Sequence, residues 1–164
     1  MSKVHYLKSV QKTPLSLEKT WKFFSDPHNL LTITPPYLNL TVTNEVFGNE
    51  LYAGQIISYK VKPLAGIAFS WTTEITHVVK EIMFVDLQIK GPYRLWHHQH
   101  HFKSIEGGTE LTDIVHYRLP LGFLGGMAHP VVKTKLYEIF TYRFEKINEM
   151  FGAWPGQKLN LQTD

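Results

Sequence analysis

Four ionisable side chains, two of them on one strand-like stretch, hold most of the chemistry this sequence offers. In Trp96-His97-His98-Gln99-His100-His101-Phe102, a strand's alternation sets Trp96, His98, His100 and Phe102 on one face and His97, Gln99 and His101 on the other. The aromatic flanks make the even face the inner one, which leaves His97 and His101 exposed. Asp113 shares the apolar face of the following strand with Leu111, Val115, Tyr117 and Leu119. Pairing the two faces across Glu106-Gly107-Gly108 brings it near His100 or Phe102. Asp86 alternates with Phe84 and Gln88, whereas Met83, Val85, Leu87 and Ile89 make the opposite face look like core. If the turn Gly91-Pro92-Tyr93-Arg94 pairs even residues with even ones, Asp86 falls opposite or close to His98, and a bulge would leave both faces half-buried.

A histidine titrates near neutral pH and a carboxylate on one ring nitrogen fixes its tautomer, so His98, His100, Asp86 and Asp113 suit orienting a ligand or exchanging a proton with one. The same four groups also suit a hydrogen-bonded network inside the sheet, because buried polar groups must be paired. Two histidines and a carboxylate are donors for zinc or iron, but an i, i+2 pair matches none of the spacing signatures of a metal site, and no metal is expected. Trp71, Tyr117 and Tyr142 bring rings with polar handles that fit a flat ligand or ordinary core packing equally well. Arg143 suits an acidic ligand group, Asp86 or Asp113, or plain solvation on a helix.

Phosphate-cradling glycine motifs, a Gly-x-Ser-x-Gly elbow and His-Glu-x-x-His are all absent, so no nucleotide or other cofactor is expected and binding is favoured over catalysis. The absence of cysteine removes thiolate nucleophiles, disulfides and cysteine-ligated clusters together.

Those side chains need elements to position them. A strand over residues 5–10 leads to Ser16, an N-cap for Leu17 to Phe24, and Leu17, Trp21 and Phe24 share a helical face. Pro27 restarts a second short helix that Thr34-Pro35-Pro36 ends. A period of two then runs through six strands, near residues 38–46, 56–61, 67–79, 83–89, 94–104 and 109–119, whose short connections make them antiparallel neighbours. The apolar stretch Leu121-Gly122-Phe123-Leu124-Gly125-Gly126 is a loop, either a lid or a tight connection whose Phe123 and Leu124 complete the core. After Pro130 the spacing of Val132, Leu136, Ile139, Phe140, Ile147 and Phe151 predicts one helix of about twenty residues, stopped by Gly152.

The chain has 164 residues, 17 Lys and Arg against 14 Asp and Glu for a formal charge of +3, and 43% apolar residues. That is the length of one domain, assigned to residues 1–152, with a polar, partly mobile tail over 153–164. The cationic side chains are scattered singly, so nucleic acid is not an expected partner. No secretion signal or apolar span is apparent, which gives a cytoplasmic expectation, and oligomeric state stays open.

The order of elements reads as α+β: a seven-stranded curved antiparallel sheet gripping a long C-terminal helix, with two short helices after strand one. A single helix cannot fill so large a concave face, and the remaining space suits a ligand. Residues 3 to about 151 resemble the START-like, helix-grip superfamily (SRPBCC) of polyketide cyclases, lipid-transfer proteins and the birch-pollen allergen, in its bacterial ligand-binding branch. The matching stretches are Asp26-Pro27-His28-Asn29-Leu30, Ile33-Thr34-Pro35-Pro36, Trp71, Phe84-Val85-Asp86, Gly91-Pro92-Tyr93, Trp96 to Phe102, Gly108-Thr109, Asp113 to Pro120 and Tyr142-Arg143. The resemblance implies a hydrophobic or amphipathic ligand, such as a lipid. Its expected walls are Trp71, Phe84, Trp96, Phe102 and Tyr117 from the sheet, Phe123 from the loop and Leu136, Phe140 and Arg143 from the helix, with His98, His100, Asp86 and Asp113 at the polar end. The alternatives are a cyclase or dehydratase in which His98 or His100 moves protons with Asp86 or Asp113, and a surface-mediated interaction module.

Overall fold

A computed structural model describes residues 3–44, 50–64, 67–120 and 122–164, with the backbone alone for residues 63, 64 and 122–126. The strands are β1 (His5–Thr13), β2 (Thr41–Val42), β3 (Gln55–Leu64), β4 (Ile67–Val79), β5 (Met83–Lys90), β6 (Leu95–Ile105), β7 (Gly108–Arg118) and β8 (Asn160–Thr163). The helices are α1 (Leu17–Phe24), α2 (Asn29–Thr32) and α3 (Gly122–Phe151). The eight strands form one antiparallel sheet in the order β2-β3-β4-β5-β6-β7-β1-β8. The fold is thus α+β, a curved sheet with two short helices after β1 and a long helix near the end.

Local chemistry accounts for the early elements. Ser16 caps α1 by accepting from the Lys19 N–H at 3.4 Å. The helix lays Trp21 edge-on against Phe102 and Phe84, with ring centroids 5.3 and 6.0 Å away. The hairpin between β6 and β7 turns at Gly107, whose φ of +83° suits a residue without Cβ. Gln11 of β1 then clamps α3 across the concave face, donating to the Phe144 carbonyl at 3.0 Å and to Asn148 Oδ1 at 3.1 Å.

Three sequence expectations are corrected. The strand expected over 38–46 shrinks to Thr41–Val42, because Pro36–Leu38 form a 3-10 turn and Asn39 takes the left-handed region at φ +44°. The stretch expected as a glycine-rich loop or lid is helical from Gly122. α3 therefore runs for 30 residues with Pro130 inside it, although an internal proline removes one backbone hydrogen bond and normally marks a helix start. Its stop is as expected, Gly152 at φ +96° with its N–H on the Asn148 carbonyl. Finally, the sheet has eight strands, not seven, because the polar tail pairs antiparallel with the free edge of β1, Leu7 opposite Thr163 and Val10 opposite Asn160.

Two apolar clusters line the concave side. One gathers Trp21, Ile57, Tyr59, Ile75, Phe84 and Phe102 beneath α1, and the other Leu7, Trp96, Val115, Tyr117, Leu136 and Phe140 beneath α3. The polar side chains of β5, β6 and β7 touch both.

Candidate functional site

The register of three strands assembles the site. Asp86 on β5 stands opposite His98 on β6, Phe84 opposite His100, and His100 opposite Asp113 on β7. β5 keeps an unbroken register with β6 over residues 83–87, so Phe84 and Val85 point to opposite faces of the sheet, and both are buried. On β6 the even residues face inward, with Trp96, His98 and Phe102 buried. His97 and His101, expected exposed, are half-buried, His97 beside His116 and His101 with Nε2 2.9 Å from Gln99 Oε1.

The two imidazoles and two carboxylates close into a ring. His98 Nε2 lies 2.9 Å from Asp113 Oδ1, and His100 Nε2 lies 2.9 Å from Asp86 Oδ2. His100 Nδ1 is also 2.9 Å from Asp113 Oδ1, whereas His98 Nδ1 is 3.6 Å from Asp86 Oδ2. Side-chain exposures of 6% and 11% for the histidines, and 17% and 15% for Asp86 and Asp113, take the four groups largely out of water. Phe84 stacks on His100 at 4.2 Å, and Trp96 and Phe140 flank His98. Arg143 reaches in from α3, its guanidinium 5.1 Å over the Phe140 ring and one terminal nitrogen 3.6 Å from Asp113 Oδ1, while its buried Nε has no hydrogen-bond partner among the described residues.

These neighbours set the charges. Burial would raise the Asp113 carboxyl, but hydrogen bonding from His100 and His98 holds it well below the usual carboxylate range. Asp86 is lowered too, the loss of water outweighed by His100, His98 and Arg143. Burial pulls His100 down, yet its contacts with both carboxylates prevail and its pKa is raised. His98 is lowered by burial and by the cationic ring beside it, 3.8 Å away between centroids. The two carboxylates thus favour the cationic form of His100 beside Arg143, while burial and its neighbour favour the neutral form of His98.

Beside this cluster a pocket of about 200 Å³ opens between sheet and α3. Of the residues expected at a ligand site, Trp71, Phe84, Asp86, Trp96, His98, His100, Leu136, Phe140 and Arg143 line it. Phe102 is buried against Trp21, Phe24 and Phe84 instead, and Asp113 stands behind the histidines. Tyr117 points its hydroxyl to His129 Nε2 at 3.1 Å, away from the pocket, with burial pushing its pKa up to about 12. Tyr142 lies in an outer groove with Tyr37 and Tyr137, and the Phe123 side chain is outside the described residues.

The far walls escaped the sequence reading. Ile57, Tyr59 and Val61 alternate on β3, Thr73 and Ile75 on β4, and Leu30, Ile33 and Leu38 come from the segment after α1. Their periodicity marks an inner face but not which part of it borders a pocket. Tyr93 was also missed as a wall: Gln88 pins it by accepting from its N–H at 3.3 Å and donating to its carbonyl at 2.7 Å. Its ring then sits between Trp71 and Trp96, 5.6 and 4.9 Å away.

No protein-family profile and no curated protein matches the chain. Solved structures do match it. The Zhui aromatase/cyclase from Streptomyces sp. R1128 superposes with a TM-score of 0.70, covering 90% of this chain and 93% of its own at 12% identity. Ginseng major latex-like protein 151 from Panax ginseng gives 0.63 over 89% and 96% at 13% identity, and protein Ms6760 from Mycobacterium smegmatis 0.64 over 88% and 89% at 18%. The architecture these likenesses define is the helix grip, a curved antiparallel sheet around a long helix. The chain has that fold, the one shared by START-like proteins.

Proposed function

We propose that the protein binds a small, mostly apolar molecule in the pocket between sheet and α3, with its polar end toward Arg143 and the His98–His100–Asp86 wall. The observation that carries this reading is the pocket's composition, aromatic and aliphatic on most sides with its polar groups gathered on one. Its volume sets the ligand's size. An apolar cavity of about 150 Å³ accepts benzene, so about 200 Å³ suits a ligand of one or two rings, or a short branched chain, and not an extended lipid. Among the described residues no helix is long and apolar enough to cross a membrane.

A second reading is a cyclase or dehydratase, favoured by the aromatase/cyclase neighbour and by a neutral His98 at the pocket wall, fit to accept a proton. Native mass spectrometry of the gently purified protein, followed by denaturing extraction, tests the binding reading. The expected result is a stoichiometric adduct of one- or two-ring size that leaves on extraction. A bare chain that also takes up no ring-containing compound at millimolar concentration contradicts it.

A further inference from the structure

We propose that Asp86 Oδ2, His98 Nδ1 and His100 Nε2 form a binding site for one divalent transition-metal ion, with Asp113 positioning both histidines from behind. Three observations carry this, none of which depends on what else the pocket binds.

The first is spacing. Ligand atoms on one ion at bonds of about 2.1 Å stand about 3.0 Å apart at octahedral angles and about 3.4 Å at tetrahedral ones. Asp86 Oδ2 lies 2.9 Å from His100 Nε2 and 3.6 Å from His98 Nδ1, and all three atoms fall within 4.8 Å of one another, so that an ion would take the place of the proton Asp86 and His100 share, which leaves to solvent. At 3.6 Å the His98 contact is beyond hydrogen-bond reach, so Nδ1 donates no N–H to Asp86 and its lone pair is free.

The second is the use of the opposite ring nitrogens. His98 Nε2 and His100 Nδ1 both lie 2.9 Å from the same oxygen, Asp113 Oδ1. A metal-binding histidine almost always gives its other N–H to a carboxylate or carbonyl, which fixes the tautomer and aims the free lone pair at the ion. Here one carboxylate oxygen does this for two rings, with an Arg143 nitrogen 3.6 Å from that same Oδ1, while the hydroxyl of Thr73 donates to the other oxygen of Asp86, Oδ1, at 3.5 Å.

The third is direction. The three donor residues line the pocket and Asp113 does not. An ion held there keeps coordination positions turned to the pocket, the open arrangement of two histidines and one carboxylate that suits zinc, iron(II) or cobalt(II). From sequence these donors are set aside, because an i, i+2 histidine pair matches no metal-site spacing; the carboxylate that completes the set comes from the neighbouring strand.

A second group, His5, His129 and Asp164, is a poorer candidate, since its carboxylate is exposed and already paired with Lys3. It serves as the internal control. The test is titration of the chelator-stripped full chain with zinc chloride, and with cobalt(II) chloride for its visible absorption bands. One ion per chain is expected, with affinity falling at least 100-fold in Asp86→Asn and His98→Gln, 10- to 100-fold in Asp113→Asn, and unchanged in His129→Ala. No stoichiometric uptake, or uptake lost in His129→Ala and kept in the other variants, overturns the proposal. Should those variants lose their fold by circular dichroism, long-range proton–nitrogen spectra of the unmodified protein decide. Zinc must then move His98 Nδ1 and His100 Nε2, and its leaving both unmoved is equally fatal.

Discussion

His98 and His100 are two residues apart on one strand and yet are driven in opposite directions, because His100 has a carboxylate 2.9 Å from each ring nitrogen and His98 has only one that close. The stability consequences follow from the signs. Asp86 and Asp113 are depressed below their ordinary 3.8, so their contribution is present above that value and is lost as pH falls through their folded values. His98, depressed below 6.5, contributes above 6.5 and loses that contribution on acidification, whereas raised His100 contributes below 6.5 and loses it as pH rises through its folded value. The two histidines oppose each other near neutrality, and the carboxylates dominate the acid limb. Urea unfolding measured from pH 7 to 3 is expected to show stability falling steeply below about pH 4. Asp113→Asn should cost about 3 kcal/mol at pH 7, by leaving buried positive charge unpaired, and should flatten the acid limb. A variant as stable as the parent, with an equally steep limb, contradicts the assigned charges.

At the scale of elements, the inner face of β6 was legible because aromatics flank the histidines on a strict alternation, and Asp113 followed from its apolar neighbours on β7. The face of β5 was not, since Met83, Val85, Leu87 and Ile89 compete with Phe84 and Asp86, and the strand buries a residue on each face, Phe84 on one and Val85 on the other. The start of α3 was hidden by Pro130 and by glycines that elsewhere mark a loop. Nor was β8 visible: four residues in a polar tail carry little strand signal, and what makes them a strand is the free edge of β1. Tyr6 donates its N–H to Asp164 Oδ1 at 3.1 Å, and Lys133 of α3 donates to the Asp164 carbonyl at 2.8 Å, so the strand is tied to sheet and helix alike. Removing residues 160–164 should leave β6 and β7 amides as protected from exchange as before, and should lower protection at those β1 amides between residues 6 and 10 that face β8. Unchanged protection along β1 would show that β8 does not cover that edge.

For the whole molecule, curvature turns a meander into a container. The strands bend around α3, the helix fills part of the concavity with Leu136 and Phe140, and α1 closes one end with Trp21. What stays open is the pocket, one wall polar and the rest aromatic or aliphatic. Apart from β8 and the start of α3, the elements and their order were legible in the sequence. The pocket's size was not, because it depends on how Trp71, Tyr93 and Trp96 lean on one another, which no periodicity encodes. The most direct test of the binding account is a proton–carbon NMR titration of the protein with one- and two-ring aromatic compounds, repeated on Leu136→Trp, which fills the pocket from α3. The account predicts saturable shifts at Ile57, Ile75, Leu136 and Ile139, with ligand contacts to Trp71 and Phe140, and loss of both in the variant. Shifts confined to the outer groove around Tyr137 and Tyr142, or binding undiminished in Leu136→Trp, would contradict it.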